Sequence, residues 1–257
     1  MRVFMLVMAL ISAPAEEETW EPPENPDPSV ILNEARADTR AQRYEIALAK
    51  LVWFHEQALA IQPALSGVRL SFALGYWREL AEKYPPAWEG LEATRDQAAL
   101  NVKQGKNVLE SFQDLAAINR ELDQQTLTKD LFEELDKDHP DSALKVFRFS
   151  QPALIQTKSY ALFAKYVVPQ RDFRLIRQAY TAGKRTAGNP RFDKLHRDFA
   201  NKKFVNDATT LVAILVINDR NAEALEIAQL AKQEWDDEDF HDRLDEALEG
   251  FVPEPWP

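Results

Sequence analysis

From Ser29 onward, apolar residues recur at three- and four-residue intervals, the signature of amphipathic helices. Tyr44, Ala47, Leu48, Leu51, His55, Ala58 and Leu59 make one stripe, and Leu70, Ala73, Leu74, Trp77, Leu80, Ala81 and Tyr84 the next. Pro85-Pro86 ends that helix and can open another, because proline lacks a backbone donor and suits a first turn. The pattern resumes through Ala87, Leu91, Thr94 and Ala98, then Leu109, Phe112, Leu115, Ala116 and Asn119, then Leu127, Leu131, Phe132 and Leu135. Pro140, Pro152, Pro169 and Pro190 punctuate the second half, each spaced by roughly one helix. The run Thr209–Ile217 (TTLVAILVI) has the β-branched content of a buried strand, but its setting between helical patterns favours a buried helix. The pattern predicts an all-α fold of about 11 to 13 helices.

A series of short helices invites a test for internal repeats. Residues 109–140 carry Phe112, Leu115, Ala116, Phe132 and Pro140 at the signature places of a 34-residue helix-pair unit. Asp123 stands where glycine is usual, and Thr128 and Leu135 where alanine is usual. Residues 43–63 show the second-helix pattern of Tyr, Ala-Leu, Ala-Leu and a final Pro. In residues 205–234, Leu211 and Val212 suit a first helix, and Ala224, Ala228 and Ala231 a second. Second helices are expected to start near 44, 84, 125, 160 and 221, an irregular spacing. The acidic stretch DEDFHDRLDEALEG suits a terminal capping helix. On these residues the chain resembles tetratricopeptide-like helical-repeat proteins over most of 31–250. The segment WFHEQALAIQPALSGVRLSFALGYWRELAEKYPPAWEGL also resembles an uncharacterised bacterial group of repeat proteins, with no function to carry over. The resemblance implies a solenoid of stacked antiparallel helix pairs with a concave binding face.

The N-terminus has a different character. In MRVFMLVMALISAPA, residues 1–15, Arg2 precedes an apolar run and Ala13-Pro14-Ala15 supplies small residues for cleavage, the layout of a signal peptide. That run is too short for a stable anchor, and the longest later candidate, Leu211 to Ile217, falls well short of the roughly 18 apolar residues of a membrane span. The expected mature protein is therefore exported, periplasmic or secreted, and soluble. Residues 16–28 (EEETWEPPENPDP) are acidic and proline-rich and are expected to be an extended linker that cannot order itself. The helical body is expected over 29–250, with 251–257 as a C-terminal tail.

Composition adds exclusions. The 257 residues include no Cys and only 7 Gly. That removes disulfides, thiolate metal sites and cysteine nucleophiles, and disfavours glycine-rich phosphate loops. The four histidines, His55, His139, His196 and His241, are scattered. His55-Glu56 lacks the second histidine of a zinc-protease helix, since Leu59 stands there. His55 lies on an apolar stripe and is expected to be packed and hydrogen-bonded. His139 is expected at a helix end, and His196 and His241 on solvated faces. No G-x-S-x-G nucleophile motif occurs, and adjacent carboxylates such as Glu133-Glu134 project in different directions. Asp236–Asp242 has the charge of a calcium loop but not its central glycine. No enzyme, metal or cofactor is expected.

Charge is the sharper clue. The net charge of −11 hides an acidic, basic, acidic order. Residues 16–142 hold 13 Lys+Arg against 25 Asp+Glu, residues 143–203 hold 14 against 3, and residues 204–257 hold 3 against 14. Within the basic block, 158–197, Arg171, Arg174 and Arg177 follow at intervals of three and are expected to form a ridge, with Lys184 and Arg185 beyond them. Two readings stand: the block is covered by the acidic segments, or part of it stays open and collects an anionic partner. The aromatic residues interleaved with it sit at helical spacing, which suits a core. The expected function is a non-catalytic protein- or peptide-binding scaffold. The alternative is a binder of an acidic peptide, anionic glycan or lipid headgroup through Arg171, Arg174, Arg177, Lys184 and Arg185. The exported location disfavours nucleic acid.

Overall fold

The structure, a computed structural model, describes residues 19–186 and 193–255. The expected signal segment, Arg191, and the side chains of Lys194 and His196 lie outside the described residues. Among these residues the chain is all-α, with 13 helices, one 3-10 turn at Pro63–Leu65 and no strand. It divides into two compact units, one through Leu91 and one from Glu92 onward, where a single helical body over 29–250 was expected. No helix of the described residues is long and apolar enough to cross a membrane.

The first unit contains α1 (Pro28–Arg40), α2 (Tyr44–Ile61), α3 (Ser66–Arg69), α4 (Phe72–Ala81) and the start of α5 (Pro85–Lys103). Asp27 starts α1: its carboxylate accepts the Ser29 and Val30 amides at 2.8 and 3.3 Å, and Pro28 opens the first turn. Trp77, fully buried, donates its indole N–H to the Ala87 carbonyl at 2.8 Å and so ties α4 to the start of α5. A Cβ at Gly90 would stand 3.2 Å from the Trp77 ring, so the glycine lets the two approach. His55 is buried as expected, edge-on to Trp77, and its Nε2 lies 3.2 Å from Arg69 Nη2. Lys50 of α2 reaches Asp38 and Glu34 of α1 at 2.9 and 2.7 Å, and Arg43 Nε donates to Asp38 at 2.9 Å. Residues 19–27, the described part before α1, are non-helical, yet they do not stand clear of the body. Trp20 meets Trp53 edge-on at 6.2 Å and lies over Lys50 Nζ at 5.7 Å.

The second unit takes the rest of α5, then α6 (Val108–Glu121), α7 (Gln125–Asp138), α8 (Pro140–Gln156), α9 (Tyr160–Lys165), α10 (Pro169–Thr186), α11 (Asp193–Ile217), α12 (Asn221–Glu234) and α13 (Glu238–Leu248). Residues 209–217 are helical, in the buried second half of α11. Pro152, expected to mark a helix boundary, sits inside α8, which continues through it. His139 closes α7 and precedes α8, as a helix-end residue should. Helix α6 packs on both α7 and α8, and α7 on α8; α11 packs on both α12 and α13, and α12 on α13. Helix α10 joins this second set by packing on α11 and α12. An aromatic core links the elements: Phe112, Phe132, Phe147 and Tyr166 in one run, and Phe173, Phe204, Tyr180, Trp235 and Phe240 in another.

One turn is used four times with a non-glycine residue at its left-handed position. Gln42, Asp123, Lys158 and Asp219 all have φ between 56° and 62°, and each stands two residues before a helix, α2, α7, α9 or α12. The next amide bonds back five residues in every case: Arg43 to Asp38 O, Gln124 to Asn119 O, Ser159 to Leu154 O, Arg220 to Leu215 O, at 2.7–2.9 Å. This is the left-handed closure that caps a helix end and reverses the chain. It explains why Asp123 occupies a place where glycine is usual: the position needs φ > 0, which Asp tolerates better than most residues. The helices after these turns start at 44, 125, 160 and 221, where the periodicity predicts them, and α5 starts one residue after the expected 84.

Candidate functional site

Helix α10 carries all five sequence-predicted site residues. It starts at Pro169, and the Asp172 carboxylate accepts the Val168 amide at 2.8 Å, which satisfies a donor at the helix entrance. Phe173 and Tyr180 are buried against α11, where Tyr180 stacks on Phe204 at 4.3 Å. With that inward stripe fixed, the helical period sends Gln170, Arg174, Arg177 and Lys184 along the side nearest α12, and Arg171, Leu175, Gln178 and Arg185 outward.

The five residues therefore do not act alike. Arg171 bends onto its neighbour, with Nε donating to Asp172 at 2.7 Å and Nη2 to the Tyr166 carbonyl at 3.3 Å. Arg177 faces Glu234 of α12 at 3.9 Å. Lys184 lies over the Tyr180 ring at 4.8 Å and donates to its hydroxyl at 3.2 Å. Arg174 and Arg185 are exposed and meet no partner among the described residues. The series Arg171, Arg174 and Arg177 drifts round one side of the helix. Three residues fall short of the 3.6 of a full turn, so the series precesses around the helix.

The basic block is partly covered. Lys165 donates to Asp136 of α7 at 2.6 Å, Gln170 to Glu226 of α12 at 3.1 Å, and Lys203 to Asp207 at 2.7 Å. Burial pushes Asp136 up, but hydrogen bonds from Lys165 and Tyr166 overcome it and leave the carboxyl below its ordinary range. Burial likewise pushes Asp207 up; Lys203 opposes this only in part, so the carboxyl stays above its ordinary range. Arg220, at the turn into α12, donates to the Ala164 and Val167 carbonyls at 3.4 and 3.3 Å and holds Glu223 at 2.6 Å, which anchors the approach to α10.

Two recesses flank α10. The one beside α12, of about 430 Å³, is lined by Gln170, Phe173, Arg174, Arg177, Leu230, Gln233 and Glu234. Phe173 and Leu230 make an apolar floor, and the rim combines guanidinium and amide donors with the Glu234 carboxylate, which faces Arg177 and leaves Arg174 as the open cation. The one beside α11, of about 230 Å³, is almost wholly apolar and has Lys203 and Asp207 at its edge. The α12 half of the first recess was not visible from the sequence, because nothing local says that α12 returns to α10 some 56 residues later. Among the described residues, no group of three or more His, Asp or Glu is placed to hold a metal ion. His241, expected on a solvated face, is half-buried, with Nε2 3.7 Å from Asp236. No family model, curated protein or solved structure matches the chain.

Proposed function

We propose that the chain is a non-catalytic, tetratricopeptide-like scaffold that binds an acidic protein segment along α10. One observation carries the reading. In a chain of net charge −11, Arg174 and Arg185 are exposed and meet no partner among the described residues, and Lys184 engages Tyr180. Arg174 borders a groove whose rim also holds Arg177, Gln170 and Gln233, with Glu234 as its one carboxylate; Lys184 and Arg185 follow farther along α10. Covered cations serve the fold; uncovered ones raise the local concentration of an anionic partner. The fourfold turn and the stacking of α6 on α8 and of α11 on α13 support reading the helices as stacked pairs. Export to the periplasm or beyond is part of the proposal and rests on the sequence of residues 1–15.

The test is fluorescence anisotropy with a labelled glutamate-rich peptide and a glutamine-rich control. The glutamate peptide is expected to bind, to weaken as salt rises, and to lose at least about tenfold on Arg174→Glu with Lys184→Glu. Equal binding of both peptides, or indifference to the double substitution, would reject it. N-terminal sequencing of the protein recovered outside the cytoplasm tests the cleavage after Ala15.

A further inference from the structure

The recess between α10 and α11 lies on the opposite side of α10 from the basic groove and has a different chemistry. Its walls include the rings of Tyr180, Phe199 and Phe204. At Gly183 the helices approach so tightly that an added Cβ would stand 3.0 Å from the Ala200 Cβ. The glycine thus brings the walls together without closing the space between them. An apolar cavity of about 150 Å³ holds one benzene ring, so this recess, at about 230 Å³, has room for two fused rings. Aromatic walls favour a flat aromatic guest in edge-on or offset contact.

The one carboxylate lining the recess narrows the choice. Asp207 Oδ2 accepts from Lys203 at 2.7 Å, whereas its Oδ1 makes no hydrogen bond among the described residues. An aliphatic guest would leave that oxygen unused, and an anionic guest would meet its charge. A ring N–H would satisfy it, since a hydrogen bond to a charged acceptor in an apolar setting is stronger than one between neutral groups. We propose that this recess binds an indole-type ring, seated between α10 and α11, with its N–H donating to Asp207 Oδ1. The guest is a free indole or a tryptophan side chain of a partner; the recognition chemistry is the same.

The experiment titrates indole, 1-methylindole and N-acetyltryptophanamide into the isotope-labelled full chain and follows backbone amide shifts. Indole is expected to give saturable shifts at Ala179, Gly183 and residues 199–207. 1-Methylindole, which lacks the donor, is expected to bind about tenfold more weakly. Asp207→Ala should remove that difference between the two probes. Ala179→Phe, a filling substitution from an exposed position, should abolish both. Tighter binding of N-acetyltryptophanamide than of indole assigns the site to a partner's side chain, and the reverse order to a free ring. The proposal is overturned if no probe saturates, if indole and 1-methylindole bind the unmodified chain equally, or if the shifts ignore Ala179→Phe. This inference does not rest on the acidic-segment reading. Glutamate-peptide binding should survive Ala179→Phe and indole binding should survive Arg174→Glu, so either can fail alone.

Discussion

The Asn119 side-chain amide donates to the Thr128 hydroxyl at 3.0 Å, joining α6 to α7 inside a core where both residues are fully buried. Thr128 stands where a small apolar residue is usual, and the hydroxyl gives the Asn119 donor its partner. Thr128→Val keeps the shape and removes the acceptor. It is expected to cost about 1–3 kcal/mol, the penalty for a buried donor left unsatisfied. Urea unfolding should show a lower midpoint at unchanged slope.

The fourfold turn makes a stabilising prediction. Gln42 and Lys158 are exposed residues held at φ of 62° and 56°. A side chain costs roughly 1–2 kcal/mol in that region, and glycine gives back part of the gain through unfolded-chain entropy. Gln42→Gly and Lys158→Gly are each expected to stabilise by about 0.5 kcal/mol, read as a rise in melting temperature. Replacement by Val at either place should lower it.

Lys50 and Asp38 are a largely buried ion pair in the first unit, with side-chain exposures of 9 % and 5 %. Burial works against the Lys50 charge, but the carboxylates of Glu34 and Asp38 outweigh it and hold the ammonium pKa above its usual value. Lys50→Met would leave Asp38 with Arg43 as its remaining cation. The expected loss is about 3 kcal/mol, the lower end for breaking a buried pair, because Arg43 stays. Asp38→Asn added to Lys50→Met should recover part of it, as a double-mutant cycle would show.

Two carboxylates should tilt the acid limb of stability in opposite senses. Asp136 is held below its ordinary value of 3.8, so its contribution is present above 3.8 and is lost as pH falls through the folded value. Asp207 is raised, so its contribution is present below 3.8 and is lost as pH rises through the folded value. Melting temperatures followed over about pH 2 to 7 should show a shallower acid decline for Asp136→Asn. Asp207→Asn should gain relative stability toward neutral pH.

What the sequence made legible was local. Helix starts at 44, 125, 160 and 221 follow from periodicity and turn residues within a dozen positions, and TTLVAILVI reads as helix from its neighbours. What it hid was long-range. Trp20 looked like part of a free acidic linker, and only the fold brings Trp53 and Lys50 beneath it. The basic block was visible as charge, yet its division into covered Lys165, half-engaged Arg177 and open Arg174 depends on which helices return to α10. Gln170 and Gln233 carry no sequence signal as site residues; they matter because they share a groove with two arginines.

The repeated turn also bears on how the chain reaches its fold. Each closure spans six residues, from the Asp38, Asn119, Leu154 or Leu215 carbonyl to the amide five positions later. A hairpin that closes over so short a loop forgoes little chain entropy and can form before any distant contact exists. Refolding can then begin at several places at once. The earliest slowing of amide exchange should appear at Arg43, Gln124, Ser159 and Arg220, the donors that lock these corners, ahead of the middle of the long α11 helix.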